Sequence, residues 1–174
     1  MTAFLHGERI YLRALTEADV AGEYLATLND REVTQYMTSG RVPQSRETAL
    51  EFLRSLRAEG TIACAICLGA TDMHVGNIHL RLDWPNRKGD IGILVWRSHW
   101  GKGYASEAIG LLTAHAFGSL DLRRLTFWTH NPTAEAVVKK LGWVHEGTLR
   151  EDALLGGKTR DAALYALLRE EWHS

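Results

Sequence analysis

Cysteine is nearly absent from this 174-residue chain, which carries only Cys64 and Cys67. Two thiols exclude a disulfide-stapled scaffold. Their C-x-x-C spacing fits a redox or zinc motif, yet no second cysteine pair and no histidine cluster at ligand spacing accompanies it. Residues 61–68 read as a strand, where an odd offset sends the two thiols to opposite faces. Both are expected to be buried structural residues, and no metal site is expected. A charge excess is missing as well. Twenty Lys and Arg against 21 Asp and Glu leave a net charge of −1, which argues against a nucleic-acid partner. No apolar run approaches the ~20 residues of a membrane span, and residues 1–9 lack the apolar core of a signal peptide. A cytoplasmic protein without a membrane partner is expected.

What the chain does have is an ordinary globular composition, 45% hydrophobic and 24% charged. That supports a sizeable core in one domain spanning residues 1–174. Repeats, low-complexity tracts and linkers are not evident.

The most informative stretch runs from Asp90 to Ala108. Ile91 to Val95 reads as a strand, Trp100-Gly-Lys-Gly-Tyr-Ala105 as a glycine turn, and the following segment as a helix. Ala105, Ala108, Ile109, Leu112 and Ala116 make the inner face of that helix. Strand, glycine loop and helix together form an anion site. The first-turn N–H groups of a helix are free, and the peptide dipoles add partial positive charge there. Gly101 and Gly103 let the backbone approach a phosphate. The dinucleotide-binding spacing fails because Ser106 stands at the third glycine. The Walker spacing fails because Gly103 follows Lys102 and Trp96 occupies the first glycine position.

The remaining elements follow in order. Arg9 to Ala14 is a strand. Thr16 and Asp19 look like a capping box opening a helix to about Leu28, with Ala21, Tyr24, Leu25 and Leu28 inward. Asn29-Asp30 ends it, and 37–43 is a loop. Ser45 caps a second helix with the stripe Ala49, Phe52, Leu53 and Leu56, stopped by Gly60. Thr61–Leu68 and Val75–Leu82 form an antiparallel hairpin, and a turn at 83–89 leads into Asp90–Trp96. Leu125 to Thr129 is a strand. Asn131-Pro132 opens a helix with Ala134, Val137, Val138 and Leu141 inward, closed by Gly142. Trp143 begins a strand, and Thr148–Leu155 pairs with Thr159–Leu168 across Gly156-Gly157. A mixed α/β fold around a twisted sheet is predicted.

Trp100-Gly-Lys-Gly-Tyr-Ala105 resembles the Q/R-x-x-G-x-G/A signature of GNAT acetyltransferases. Trp100 replaces Gln or Arg, as is usual in the branch resembling ribosomal-protein N-terminal (Rim-type) and amino-sugar acetyltransferases. The replacement removes a side chain and leaves the backbone donors. Arg9-Ile-Tyr-Leu-Arg13 with Asn29-Asp30, and Asn131 through Leu141-Gly-Trp143, extend the resemblance over nearly the whole chain. It implies a mostly antiparallel sheet with a splayed central parallel pair, Asp90–Trp96 and Leu125–Thr129, flanked by helices. Acetyl-CoA is then the co-substrate. Its pyrophosphate would lie on Trp100, Gly101, Lys102, Gly103, Tyr104, Ala105 and Ser106. Its pantetheine arm would pair with Leu94 and Val95 and hydrogen-bond Asn131.

The chemistry expected is acetyl transfer to a primary amine, by direct attack in a ternary complex. A backbone N–H near Leu94 would stabilise the oxyanion. Asp90, where the family often has Glu, is the leading base candidate; His79 and His130 are weaker ones, more readily structural. Glu107 reads as a structural or solvent residue. Val138 stands where many GNAT enzymes carry a proton-donating Tyr, so no general acid is named. Tyr36, Met37, Trp84 and the 148–159 region are acceptor-side candidates, and Glu146, Glu151 and Asp152 could attract a cationic amine. The acceptor is a protein N-terminus or a small aminated metabolite such as an amino sugar, and the protein a monomer or homodimer. The alternative is a CoA-binding sensor without turnover, which Val138 keeps in play.

Overall fold

Strand-forming segments recur along the chain, and in the computed structural model, which describes residues 2–173, they build one eight-stranded sheet. Its strands are β1 (Leu5–His6), β2 (Ile10–Ala14), β3 (Ile62–Leu68), β4 (His74–Asp83), β5 (Lys88–Val95), β6 (Arg124–Thr129), β7 (Val144–Leu155) and β8 (Lys158–Leu168). They lie in the order β1-β2-β3-β4-β5-β6-β8-β7. Every neighbouring pair is antiparallel except β5 and β6. That parallel pair has three rungs, Lys88–Arg124, Gly89–Leu125 and Asp90–Thr126. Beyond Asp90 the two strands part, leaving an opening at their C-terminal ends. The predicted mixed sheet with a splayed central pair is therefore present.

Five helices accompany the sheet: α1 (Gly22–Leu28), α2 (Arg31–Thr34), α3 (Arg46–Ala58), α4 (Tyr104–Gly118) and α5 (Pro132–Lys140). None among the described residues is long and apolar enough to cross a membrane. Helix α4 packs on β5 and β2, and α3 on β3. Ala108, Ile109, Leu112 and Ala116 of α4 are all buried, joined by Phe117. The caps follow the sequence: Ser45 Oγ accepts from the Thr48 amide at 3.2 Å, and Asn131 Oδ1 from the Thr133 amide at 2.9 Å. Gly142, at φ +81°, takes the left-handed position that closes α5. Gly156 and Gly157 turn the β7–β8 hairpin.

Several expectations are corrected. The helix predicted from Thr16 to Leu28 is broken into a 3-10 turn at Glu17–Asp19 and α1. Between them Val20 is fully buried, and Gly22, the first residue of α1, has φ +51°. Tyr24 and Leu28 keep their inward places, but Ala21 is exposed. Phe52 is 48% exposed while Leu50 is buried, so the stripe of α3 is centred on Ala49, Leu50, Leu53 and Leu56. The 37–43 loop contains a 3-10 turn, Thr38–Arg41, and α2 precedes it, capped by Asp30, which accepts from the Glu32 amide. The strand starting near Trp143 and the Thr148–Leu155 strand are one, irregular at His145–Gly147 and Leu149–Ala153. Cys64 and Cys67 are both buried and free. Burial pushes the Cys64 thiol up to about 11, so it is neutral at physiological pH.

One ion pair lies inside this frame. Arg13 donates to Asp19 at 2.7 and 2.9 Å, with both side chains under a tenth exposed. Burial alone would raise the Asp19 pKa; the bonds from Arg13 and Thr16 outweigh it and lower the value to about 2. The carboxylate thus stabilises the fold above its unfolded pKa of about 3.9. That contribution is lost as pH falls from about 4 towards 2. Asp19→Asn should cost about 2 kcal/mol or more at pH 7. The deficit should narrow over the acid limb, as urea titrations at pH 7, 4 and 3 would measure.

Candidate active site

The two edges of β5 face different partners, and hydrogen bonds show which residue faces which. Trp96 N–H donates to the Val75 carbonyl of β4 at 2.9 Å. On the other edge, Gly89 O lies 3.3 Å from the Thr126 hydroxyl, and Arg87 O accepts from the Arg123 amide at 2.8 Å. Main-chain groups alternate edges along a strand. Odd-numbered residues of β5 therefore face β6, and even-numbered ones face β4. Leu94, in register with Asn77 of β4, turns its amide away from the opening. The expectation that Leu94 supplies the donor is corrected by one residue: Ile93 and Val95 present their main chain at the unpaired edge. Val95 keeps its N–H, while its carbonyl accepts from the Trp100 indole at 2.8 Å.

That indole bond ties the end of β5 to the loop that follows. Gly101 and Gly103 sit at φ +73° and +80°, conformations that a residue with Cβ rarely adopts. Among the described residues, the amides of Gly101, Lys102, Gly103, Tyr104, Ala105 and Ser106 have no acceptor within the protein. The first bond of the helix runs from Glu107 N–H to Gly103 O. The six amides stand at the positive end of the 15-residue α4. Trp100 differs from the expectation: its amide donates to Arg97 O and its indole to Val95 O. It braces the loop and offers no free donor.

Glu107, which the sequence reads as a solvent or structural residue, is structural. It accepts from the amides of Arg9 at 2.9 Å and Ile10 at 3.2 Å, and from Arg9 Nε at 2.9 Å. Burial opposes its charge, but these donors prevail and lower its pKa. Arg9 also donates to Lys102 O at 2.8 Å. Sequence reasoning missed Arg9 as a loop contact, since 93 residues separate it from Lys102. One local signal existed in Gly7, where a Cβ would stand 2.5 Å from Glu107 Oε1.

Asp90 occupies the last rung before the strands part. Thr126 donates its hydroxyl to Asp90 Oδ1 at 2.8 Å. Burial raises the Asp90 pKa above the usual carboxylate value, while the Thr126 bond and the Arg81 charge pull it back. The side chains of Asp90 and Leu94 share one face of the sheet, the face on which a Cβ at Gly92 would lie. His79, opposite Gly92, has its ring against that glycine: a Cβ there would meet the ring at 2.2 Å. Burial, with Arg81 adding to it, pushes its pKa down to about 4, so the imidazole is neutral. His130 is bonded to Asp152 at 2.8 Å and packs edge-on to Trp128. Asn131 uses Oδ1 as the cap of α5 and leaves its Nδ2 without a partner among the described residues. Val138 is fully buried.

The acceptor-side candidates divide. Tyr36 lies under the Arg160 guanidinium, 5.5 Å from its ring centre, and Arg41 donates to the Leu154 carbonyl. The segment after α2 thus meets the β7–β8 hairpin. Trp84 is corrected: it lies in the β4–β5 turn, beyond the end where β5 and β6 are still paired. Glu146 is engaged at that same end by Arg124, and Asp152 by His130. Among the described residues, no three His, Cys, Asp or Glu side chains are grouped to hold a metal ion.

The family model described as an acetyltransferase (GNAT) domain matches residues 9–144. An uncharacterized N-acetyltransferase, p20, of Bacillus licheniformis is 32% identical, covering 97% of each chain. The ribosomal-protein-serine acetyltransferase of Escherichia coli is 32% identical over 49% of each chain. In fold, the chain is similar to spermidine N-acetyltransferase from Vibrio cholerae, solved with CoA and spermine. The TM-score is 0.83 at 21% identity, covering 94% of this chain and 97% of that one.

The loop geometry carries a direct test. A Val at position 103 would impose a branched side chain on φ +80° and put a Cβ 3.1 Å from Arg9 Nη2. Gly103→Val should weaken CoA binding about tenfold or more, read by calorimetric titration, with helix content unchanged by circular dichroism. Unaltered affinity would dislodge the loop from its assigned role.

Proposed function

This chain belongs to the GNAT acetyltransferase family and is an N-acetyltransferase, and from that premise we propose how it works and on what. Acetyl-CoA binds with its diphosphate on the free amides of Gly101 to Ser106 and its arm along the open edge of β5. Asn131 Nδ2 donates to that arm. The acceptor is a primary amine, either a protein N-terminus or a small aminated metabolite such as an amino sugar. The donor pool implied is that of the cytoplasm. The observation that carries this is the succession along the chain of a half-buried carboxylate and an unpaired edge on β5, then six amides of the following loop and helix start that have no acceptor among the described residues.

The amine attacks the thioester carbon directly. Its nitrogen forms the new C–N bond, the carbonyl oxygen takes the negative charge, and the main-chain N–H of Ile93 or Val95 stabilises it. Collapse breaks the C–S bond and releases the CoA thiolate. The amine must lose a proton, which Asp90 accepts through a water. An α-amino group, with a reference pKa near 7.7–8.0, needs little such help, while a lysine-like amine near 10.4 needs more. Val138 has no proton to give, so the sulfur leaves as thiolate or takes its proton from solvent. Buried Cys64 and Cys67, held as thiols, give no support to a covalent acetyl-enzyme.

Thiol release from acetyl-CoA over a panel of peptides, amino sugars and polyamines identifies the acceptor class. Asp90→Asn should lower kcat/KM by about a hundredfold near pH 6.5. The gap should close above about pH 8, where an α-amine is already neutral. A pH profile parallel to that of the unmodified enzyme would remove Asp90 as the base.

A further inference from the structure

We propose that Arg9 is a ligand of the donor's diphosphate. It reaches the loop from the start of β2 and stands in for the polar side chain that Trp100 replaces. This rests on the assignment of the diphosphate to the loop at 101–106. Trp100 has committed its indole N–H to Val95 O, so the loop's first position brings no side-chain donor. Arg9 arrives at the same loop with a side chain held at several points. Its Nε donates to Glu107 Oε2 at 2.9 Å and its Nη1 to Lys102 O at 2.8 Å, and its guanidinium lies 5.5 Å from the centre of the Tyr104 ring.

One end of the guanidinium is left over. Nη2 has no acceptor among the described residues, and it is the nearest atom to where a Cβ on Gly103 would stand, at 3.1 Å. The free donor is therefore beside the residue whose carbonyl accepts the first hydrogen bond of α4. The Arg9 side chain is 52% exposed, whereas that of Glu107 is 15% exposed. The carboxylate is covered and the guanidinium still open to a ligand.

Glu107 cancels the formal charge of Arg9, so the contribution is directional hydrogen bonding from a pre-set planar group, with little added net attraction. Arginine suits this because its fork satisfies a carboxylate, a carbonyl and a phosphate oxygen at once. A lysine at this position could not make all three contacts. Arg9 touches neither the thioester nor the amine; its effect is on donor capture and on the register of the arm.

The test compares acetyl-CoA with S-acetylpantetheine, which has the thioester and arm but no diphosphate. In Arg9→Gln, KM for acetyl-CoA should rise about tenfold, with kcat within about twofold and KM for S-acetylpantetheine unchanged. An equal rise for both donors, or none for either, would reduce Arg9 to a brace and overturn the proposal. Should Arg9→Gln fold poorly, Arg9→Lys serves: the same selective rise supports the ligand role, and a Lys variant matching the unmodified enzyme on both donors overturns it. If the unmodified enzyme does not itself prefer acetyl-CoA over S-acetylpantetheine, the diphosphate assignment fails independently of Arg9.

Discussion

Three rungs of parallel pairing, ending at Asp90 and Thr126, govern what this molecule can do. A fourth and fifth rung would occupy the edge amides of β5 with β6 carbonyls and close the sheet. Because the strands part instead, Ile93 and Val95 keep polar main-chain groups at an unpaired edge in the middle of an otherwise continuous sheet. Unpaired backbone inside a fold is costly unless something completes it. An amide-bearing ligand arm lying between the strands would supply the missing partners. The same parting leaves Asp90 at the floor of the opening, buried enough to raise its pKa and held by Thr126.

A second constraint fixes the loop above the opening. Glu107 draws two amides and a guanidinium from the start of β2 onto the first turn of α4. The loop that carries the positive-φ glycines 101 and 103 is thereby tied to the start of β2. The Trp100 indole performs the matching task on the strand side. The loop is suspended between β2 and β5, with its amides turned to neither.

Much of this was legible in the sequence, and the parts that were not have physical reasons. The glycine pattern, the Asn131-Pro132 start and the Gly156-Gly157 turn encode local backbone demands, so the loop, α5 and the last hairpin could be read directly. That an acidic residue, Asp90, stands near the start of the parting strand followed from the family resemblance. The identity of the exposed amides was not: neighbouring residues of a strand look alike in sequence, and only the register with β4 tells Leu94 from Ile93 and Val95. Arg9 was hidden because its partner lies 98 residues away. Trp84 misled because an aromatic in a turn reads the same at either end of a sheet. Phe52 misled because it falls at the margin of a helical stripe that Leu50 completes.

The bond from the Trp100 indole to the Val95 carbonyl has a metrical consequence. It pins the glycine loop to one end of β5, while Asp90 is pinned toward the other by Thr126. Five residues of extended chain, roughly 16 Å, separate the two, and a hydrogen-bonded strand neither stretches nor shortens. The strand is therefore a fixed ruler between the glycine loop and the carboxylate. On the proposed function, a carrier with its diphosphate on this loop would need an arm that matches that span to bring its acyl carbon to the carboxylate, and selectivity for the carrier would be set by length before any contact with the acyl group itself.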